Sequence, residues 1–184
     1  GMSPKDQQKR EAAFPVSTQK VNTFESTSDV LAKDLQALRD HPGLSSVTGI
    51  AAGRLPGVTA DGRAAIALYD KIVARGGFQE LTDLRASSPT GGALGSVSNQ
   101  EGSQLKASFA ALDRKQEAKD FRAAVNDAIA KVATAKKNVR DAYELTYEYR
   151  KKPTSGAGSN AAPAGVDAED WKHMTPQERA LWKK

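Results

Sequence analysis

Phe121-Arg122-Ala123-Ala124-Val125-Asn126-Asp127-Ala128-Ile129-Ala130-Lys131-Val132-Ala133-Thr134-Ala135-Lys136-Lys137-Asn138-Val139-Arg140-Asp141-Ala142 is the stretch on which the fold turns. Phe121, Val125, Ala128, Val132, Ala135, Val139 and Ala142 recur at steps of four and three, and Thr146 and Tyr149 continue the series. Such steps put small and apolar side chains on one stripe of an α-helix, the seam by which it packs on another helix. The spacing predicts a helix over 115–152. A second seam lies near the start, where Val21, Phe24, Ser28, Leu31, Leu35 and Leu38 alternate by three and four and predict a helix over 17–40.

The middle of the chain, 41–112, is punctuated by glycine and proline. Pro42 and Gly43 close the first long helix. Leu44–Pro56 has no steady period and reads as an ordered loop. A second helix starts near Thr59 or Asp61, carries Ile66, Tyr69, Ile72 and Val73 on one face, and stops at Gly76-Gly77. Phe78, Leu81 and Leu84 mark a short third helix. The run from Ser87 to Ser96 reads as a loop. Ser98-Asn99-Gln100-Glu101 has the form of a capping box, opening a fourth helix with Leu105, Phe109 and Leu112 along its stripe. Asp113 is read as the cap of the last long helix. No stretch alternates with period two, so the expected fold class is all-α.

A helix over 115–152 is about 55 Å long and one over 17–40 about 36 Å. Helices of that length need a partner for their apolar seam. The economical arrangement is an antiparallel stalk of the first and last long helices carrying a small helical head, with a flexible C-terminal tail. Pairing between chains, in a dimer or higher oligomer, satisfies the same seams, and the sequence leaves both open.

The expected organisation is a loose polar segment over 1–16, a helical domain over 17–152, a linker over 153–169 and a short helical docking motif over 170–184. Gly1 ahead of Met2 reads as a remnant of tag cleavage. Thr154–Gly165 is Gly, Ala, Ser, Asn and Pro, the composition of a flexible linker. Beyond it, Thr175 as N-cap, Pro176 at N1 and Glu178 at N3 predict a helical turn or two. Both tryptophans fall here. Trp171, Met174, Leu181 and Trp182 have no obvious place on the stalk. They are read as docking residues, for a partner, another copy or the chain's own head.

The chain has 184 residues, a formal net charge of +5 and 6% aromatic residues. Its pI is about 9.4 and its mean hydropathy -0.56. That is the profile of an extended helical protein with much wet surface. With no cysteine, disulfides, thiolate metal sites and cysteine nucleophiles are excluded. No apolar run approaches the ~20 residues of a membrane span, and the first residues lack the apolar stretch of a signal peptide.

Few residues point to chemistry. Pro89-Thr90-Gly91-Gly92-Ala93-Leu94-Gly95 invites a phosphate-cradle reading, but the lysine of a P-loop is missing and a tight turn is the simpler reading. Glu101 could stand as a lone catalytic acid, but a glycosidase normally pairs two carboxylates in an aromatic-lined cleft, and the capping box already accounts for it. His41 and His173 are far apart and lack ligand spacing, so neither a metal site nor a cofactor is expected. No Gly-x-Ser-x-Gly elbow is present. No catalytic residues are assigned. Lys131, Lys136, Lys137 and Arg140 make the last helix basic in patches, diluted by Asp127, Asp141, Glu144 and Glu148. They read as a solvated face with i,i+4 pairs, or as weak non-specific contacts to DNA phosphates. Tyr143 and Tyr147 share a face. They are expected to cover the start of the first helix or, alternatively, to form an interface between protomers.

Several stretches resemble proteins encoded by tailed phages and prophages. They are Leu38-Arg39-Asp40-His41-Pro42-Gly43-Leu44-Ser45-Ser46-Val47-Thr48-Gly49, Gly76-Gly77-Phe78-Gln79-Glu80-Leu81 and Ser88-Pro89-Thr90-Gly91-Gly92-Ala93-Leu94-Gly95-Ser96-Val97-Ser98. Glu101, Leu105, Phe109, Leu112-Asp113 and Asp141-Ala142-Tyr143 fit the same pattern. So do the tail's Asp170-Trp171, Met174-Thr175-Pro176 and Glu178-Arg179-Ala180-Leu181. The resemblance spans roughly residues 30–150 plus the tail and implies a phage particle as the setting. It brings no catalytic residues with it. The expectation is a non-enzymatic structural or assembly component, in the virion or in the bacterial cytoplasm before assembly. Its partners would be other virion proteins, or its own copies in a homo-oligomer. The alternatives are a DNA-associated packaging or ejection protein and an accessory of cell-wall hydrolysis acting through Glu101.

Overall fold

The computed structural model describes residues 2–89, 92–151 and 166–181. The architecture is all-helical, with no strand among those residues. The helices are α1 (Pro4–Arg39), α2 (Ala60–Arg75), α3 (Gln79–Ser87), α4 (Ala93–Ala110), α5 (Ala118–Thr146), α6 (Ala168–His173) and α7 (Pro176–Ala180). Short 3-10 turns lie at Leu44–Ser46, Ala52–Arg54 and Glu148–Arg150. Residues to 147 form one compact unit and those from 148 a second.

In the first unit α1 and α5 run antiparallel, as their partners show. Thr18 meets Tyr143, Glu25 meets Arg140, Asp29 meets Lys136 and Arg39 meets Asn126, so one number rises as the other falls. Both predicted seams are buried: Val21, Phe24, Ser28, Leu31, Leu35 and Leu38 from α1, and Phe121 through Ala142 at the same steps from α5. One chain thus covers its own α1 seam. Each large side chain sunk this way contributes roughly 1.5–3 kcal/mol relative to leaving it in water.

The α1 helix is longer than its sequence predicts. Residues 4–16, read as loose, are its first turns. Ser3 caps the start, its Oγ accepting from the Asp6 N–H at 3.2 Å, and Pro4 occupies the first position, where a missing N–H costs nothing. The helix continues through Pro15, whose ring normally costs about 3 kcal/mol inside a helix. Contacts of the preceding turns with the end of α5 offset that cost. Arg10 Nη1 donates to the Thr146 carbonyl at 3.4 Å, and Phe14 packs edge-on against Tyr147 at 4.9 Å.

The α2 helix begins and ends as predicted, with Thr59 capping through a 3.0 Å bond from Gly62 N–H. Its inner face is Gly62, Ala65 and Ile72 with Tyr69 half-buried, while Val73 points outward. Phe78, Leu81 and Leu84 are buried as expected. Phe78 sits in the left-handed region at φ 49 and ψ 48, a strained conformation for a bulky residue. Its ring is held against Phe24 (6.4 Å) and Phe109 (5.1 Å), joining α1, α3 and α4 in one core.

Three further helix boundaries, in α4 and α5, differ from the sequence reading. The α4 helix starts at Ala93, so the predicted loop is already helical there and Ser98 is an interior residue. Burial of Leu94 overrides the low helix propensity of its Gly and Ser neighbours. The N-cap position of α5 is Glu117, with no side-chain capping bond, rather than Asp113, whose carboxylate accepts from the Lys115 N–H at 2.8 Å in a local turn. It stops at Thr146 rather than at 152, and Tyr149 is exposed.

In the second unit, Asp167 caps α6. The box predicted at Thr175 forms as read. Thr175 Oγ1 accepts from the Glu178 N–H at 3.3 Å, and Glu178 Oε2 accepts from the Thr175 N–H at 2.7 Å. The Thr175 N–H and hydroxyl, both donating to Oε2 at 2.7 Å, hold the Glu178 carboxyl below its ordinary pKa. Of the predicted linker over 153–169, residues 153–165 lie outside the described residues, and its end is not linker, since α6 begins at Ala168.

Candidate functional site

Along α5 every predicted phosphate-contact cation meets a carboxylate. Lys131 Nζ lies 3.8 Å from Asp127, and Lys137 2.6 Å from Asp141. Lys136 reaches across to Asp29 on α1 at 2.6 Å. Arg140 pairs with Glu25, accepts no competitor easily because Asn22 also holds it at 2.9 Å, and lies over the Tyr143 ring at 5.1 Å. The Glu25 bond pushes the Arg140 pKa up. The Lys136–Asp29 and Arg140–Glu25 pairs join α5 to α1, while the Lys131–Asp127 and Lys137–Asp141 pairs lie within α5. A DNA phosphate would have to displace a carboxylate at each one.

Tyr143 and Tyr147 are buried within the chain. The Tyr143 hydroxyl lies 2.6 Å from Thr18 Oγ1, and the Tyr147 hydroxyl donates to the Arg10 carbonyl at 3.4 Å. Burial pushes the Tyr147 pKa up. Both rings cover α1 between Arg10 and Thr18, as the first of the two sequence readings expects.

Glu101 belongs to no capping box. It is a buried residue of the α4 interior, and its Oε1 accepts from Asn138 Nδ2 on α5 at 2.9 Å. Beside it runs a shallow groove of about 320 Å³, lined among others by Val97, Asp141, Ala142 and Leu145. Asp141 brings a second carboxylate to that groove, but it is already bound to Lys137. The lining has no aromatic ring on which a sugar could stack. The pair acts as a polar register mark between α4 and α5.

The most organised irregular segment is the loop between α1 and α2. Arg114 holds it from beneath. Its Nε donates to the Val47 carbonyl at 3.1 Å, and its Nη2 to the carbonyls of Ala52 (3.4 Å) and Leu55 (2.9 Å). The guanidinium also lies 6.0 Å from the centre of the Tyr69 ring, whose hydroxyl donates to the Leu112 carbonyl at 2.6 Å. In return, Gly49 N–H donates to the carbonyls of Arg114 and Gln116 at 2.9 and 2.8 Å. Gly49 has φ +105, which suits glycine. A Cβ at Gly53 would sit 2.2 Å from the Arg114 carbonyl oxygen. On this braced loop Ile50, Leu55 and Val58 are 74%, 58% and 89% exposed. The sequence reading found an ordered loop here but not its outward apolar residues, because nothing in the spacing says which side chains face inward.

The tail residues divide. Trp171 is 2% exposed, Met174 is half-buried and Leu181 is 78% exposed. Trp182 lies outside the described residues, as do Thr90 and Gly91 of the candidate phosphate loop. His41 Nδ1 accepts from the Gly43 N–H at 3.0 Å, capping the turn that ends α1, and His173 is exposed. Among the described residues no group of His, Asp or Glu is placed to hold a metal ion. No described helix is long and apolar enough to cross a membrane.

Comparison of the chain with family models, with curated proteins and with solved structures finds no match.

Proposed function

We propose that this chain is a non-enzymatic structural or assembly component of a tailed phage or prophage particle, acting through contacts with other virion proteins. The phage setting rests on the motif resemblance. The observation that carries the contact role is the braced loop between α1 and α2. Apolar side chains on a slack loop fold back to escape water. Here the Arg114 bonds and the close approach at Gly53 hold the backbone, and Ile50, Leu55 and Val58 stay outside. A rigid segment that presents apolar side chains binds with little ordering cost. The reading as a DNA-associated packaging or ejection protein draws on the α5 cations, and their carboxylate partners count against it.

Light scattering after size exclusion, at low and high salt, tests the proposal on the wild type and an I50S/L55S/V58S variant. A salt-resistant oligomer in the wild type that dissociates in the variant supports it. A monomer whose only measurable association is salt-sensitive binding to DNA would favour the alternative.

A further inference from the structure

The α5 cations are neutralised, but another set of cations is not. Two adjoining grooves run along the α3–α4 seam, of about 160 and 500 Å³, and they share Arg85 and Asn99. Lys106 lines the first and Lys9 the second. Neither lining contains an Asp or Glu. Arg85 Nη1 donates to Asn99 Oδ1 at 2.8 Å, which orients the guanidinium and leaves its charge uncompensated. Lys9, Arg85 and Lys106 have no ion-pair partner among the described residues. By contrast, Lys136 and Arg140 of α5 are matched by Asp29 and Glu25 of α1.

Two further features point the same way. The second groove opens on the N-terminus of α4, an 18-residue helix whose cap, Gly92, supplies no side-chain acceptor and whose first turn has no acidic residue. The unpaired N–H groups and the positive end of the helix dipole are left without an anion. The first groove is floored by Ser98, which is fully buried and whose Oγ has no hydrogen-bond partner. A buried hydroxyl without a partner forfeits the hydrogen bond that such groups almost always make.

We infer that the α3–α4 groove, lined by Arg85, Lys106 and Ser98, binds a phosphate-type oxyanion, either free or carried on a nucleic-acid backbone. The groups it offers are donors: the Arg85 guanidinium, the Lys106 ammonium, the Ser98 hydroxyl on its floor and the side-chain amide of Asn99, while the Ser103 hydroxyl already donates to the Asn99 carbonyl at 3.0 Å. A tetrahedral oxyanion can accept from several of these directions at once, and bonds to ionised groups are the strong ones. The site takes over the phosphate role that the sequence places on α5, and it stands apart from the apolar loop of the proposed function.

The test is a titration of the full chain, followed by backbone-amide NMR at constant ionic strength, with inorganic phosphate and separately with a short oligothymidylate. Saturable shifts are expected at Asn99, Ser103 and the first turn of α4. Ser98→Ala should weaken binding about tenfold, the effect of one hydrogen bond to an ion. An R85A/K106A variant, altered only at exposed positions and checked for an unchanged melting temperature, should abolish it. Saturation by both probes at the same amides assigns the site to nucleic-acid backbone, and saturation by phosphate alone assigns it to the free ion. Shifts that never saturate, or that persist unchanged in R85A/K106A or Ser98→Ala, overturn the proposal.

Discussion

The Tyr143 hydroxyl and Thr18 Oγ1 lie 2.6 Å apart, joining residues 125 positions distant in the chain. Thr18 Oγ1 is also 2.8 Å from the Phe14 carbonyl. The contact therefore anchors the turn of α1 that contains Pro15, where the helix lacks one of its own hydrogen bonds. Tyr143→Phe keeps the ring and removes the bond. It should cost about 1 kcal/mol, read as a lower denaturation midpoint with unchanged oligomeric state. A change in oligomeric state would return the tyrosine to an interface between chains.

Leu35 is fully buried at the middle of the α1 seam. Leu35→Ala should cost about 2–5 kcal/mol, the transfer loss plus the cavity it leaves. Urea denaturation measures it. A loss below about half a kcal/mol, the level of a surface substitution, would mean that the seam is not packed as described.

What the sequence makes legible follows from how local each signal is. The seams of α1 and α5 and the box at Thr175 are written in short-range spacing, and all three are present. The start of α1 is legible too: Ser3-Pro4-Lys5-Asp6 is a capping serine, a first-turn proline and an acidic residue, inside the segment read as loose from its polarity. The early start of α4 is not, since Ala93-Leu94-Gly95-Ser96 has loop composition and only the burial of Leu94 makes it helical. Long-range pairings such as Glu101–Asn138 leave no pattern in one sequence. The same holds for Arg114, an ordinary basic residue until its carbonyl partners 59 to 67 positions away are seen.

Arg114 gives a prediction about dynamics. Arg114→Lys keeps the charge but lacks the planar fork that serves separate carbonyls. The loop should loosen locally while the helices hold. Hydrogen exchange at Gly49, whose N–H is bonded to the Arg114 and Gln116 carbonyls, should speed up more than exchange in the α1 or α5 seam. Uniform acceleration across the chain would show Arg114 to be a global rather than a local brace. Gly53→Ala should act on the same loop by overpacking, at a cost of about 1–3 kcal/mol, because its Cβ has backbone in its way.

Tyr147 sets an alkaline limit. Burial raises its pKa in the folded chain, and the same holds for Tyr69. The unfolded chain ionises its tyrosines near about pH 10. Below that value both states hold the proton and the stabilisation is complete. As pH rises above it the unfolded state loses protons first, so stability falls with pH until the folded-state pKa is passed. Tyr147→Phe cannot ionise and keeps the edge-on contact with Phe14, so its stability should decline less steeply over that window than the wild type's. Denaturation midpoints taken from pH 8 upward, with tyrosinate absorbance followed in parallel, measure both slopes. Equal slopes would mean that Tyr147 ionises as freely in the folded chain as in the unfolded one, and that its ring is not sealed against α1.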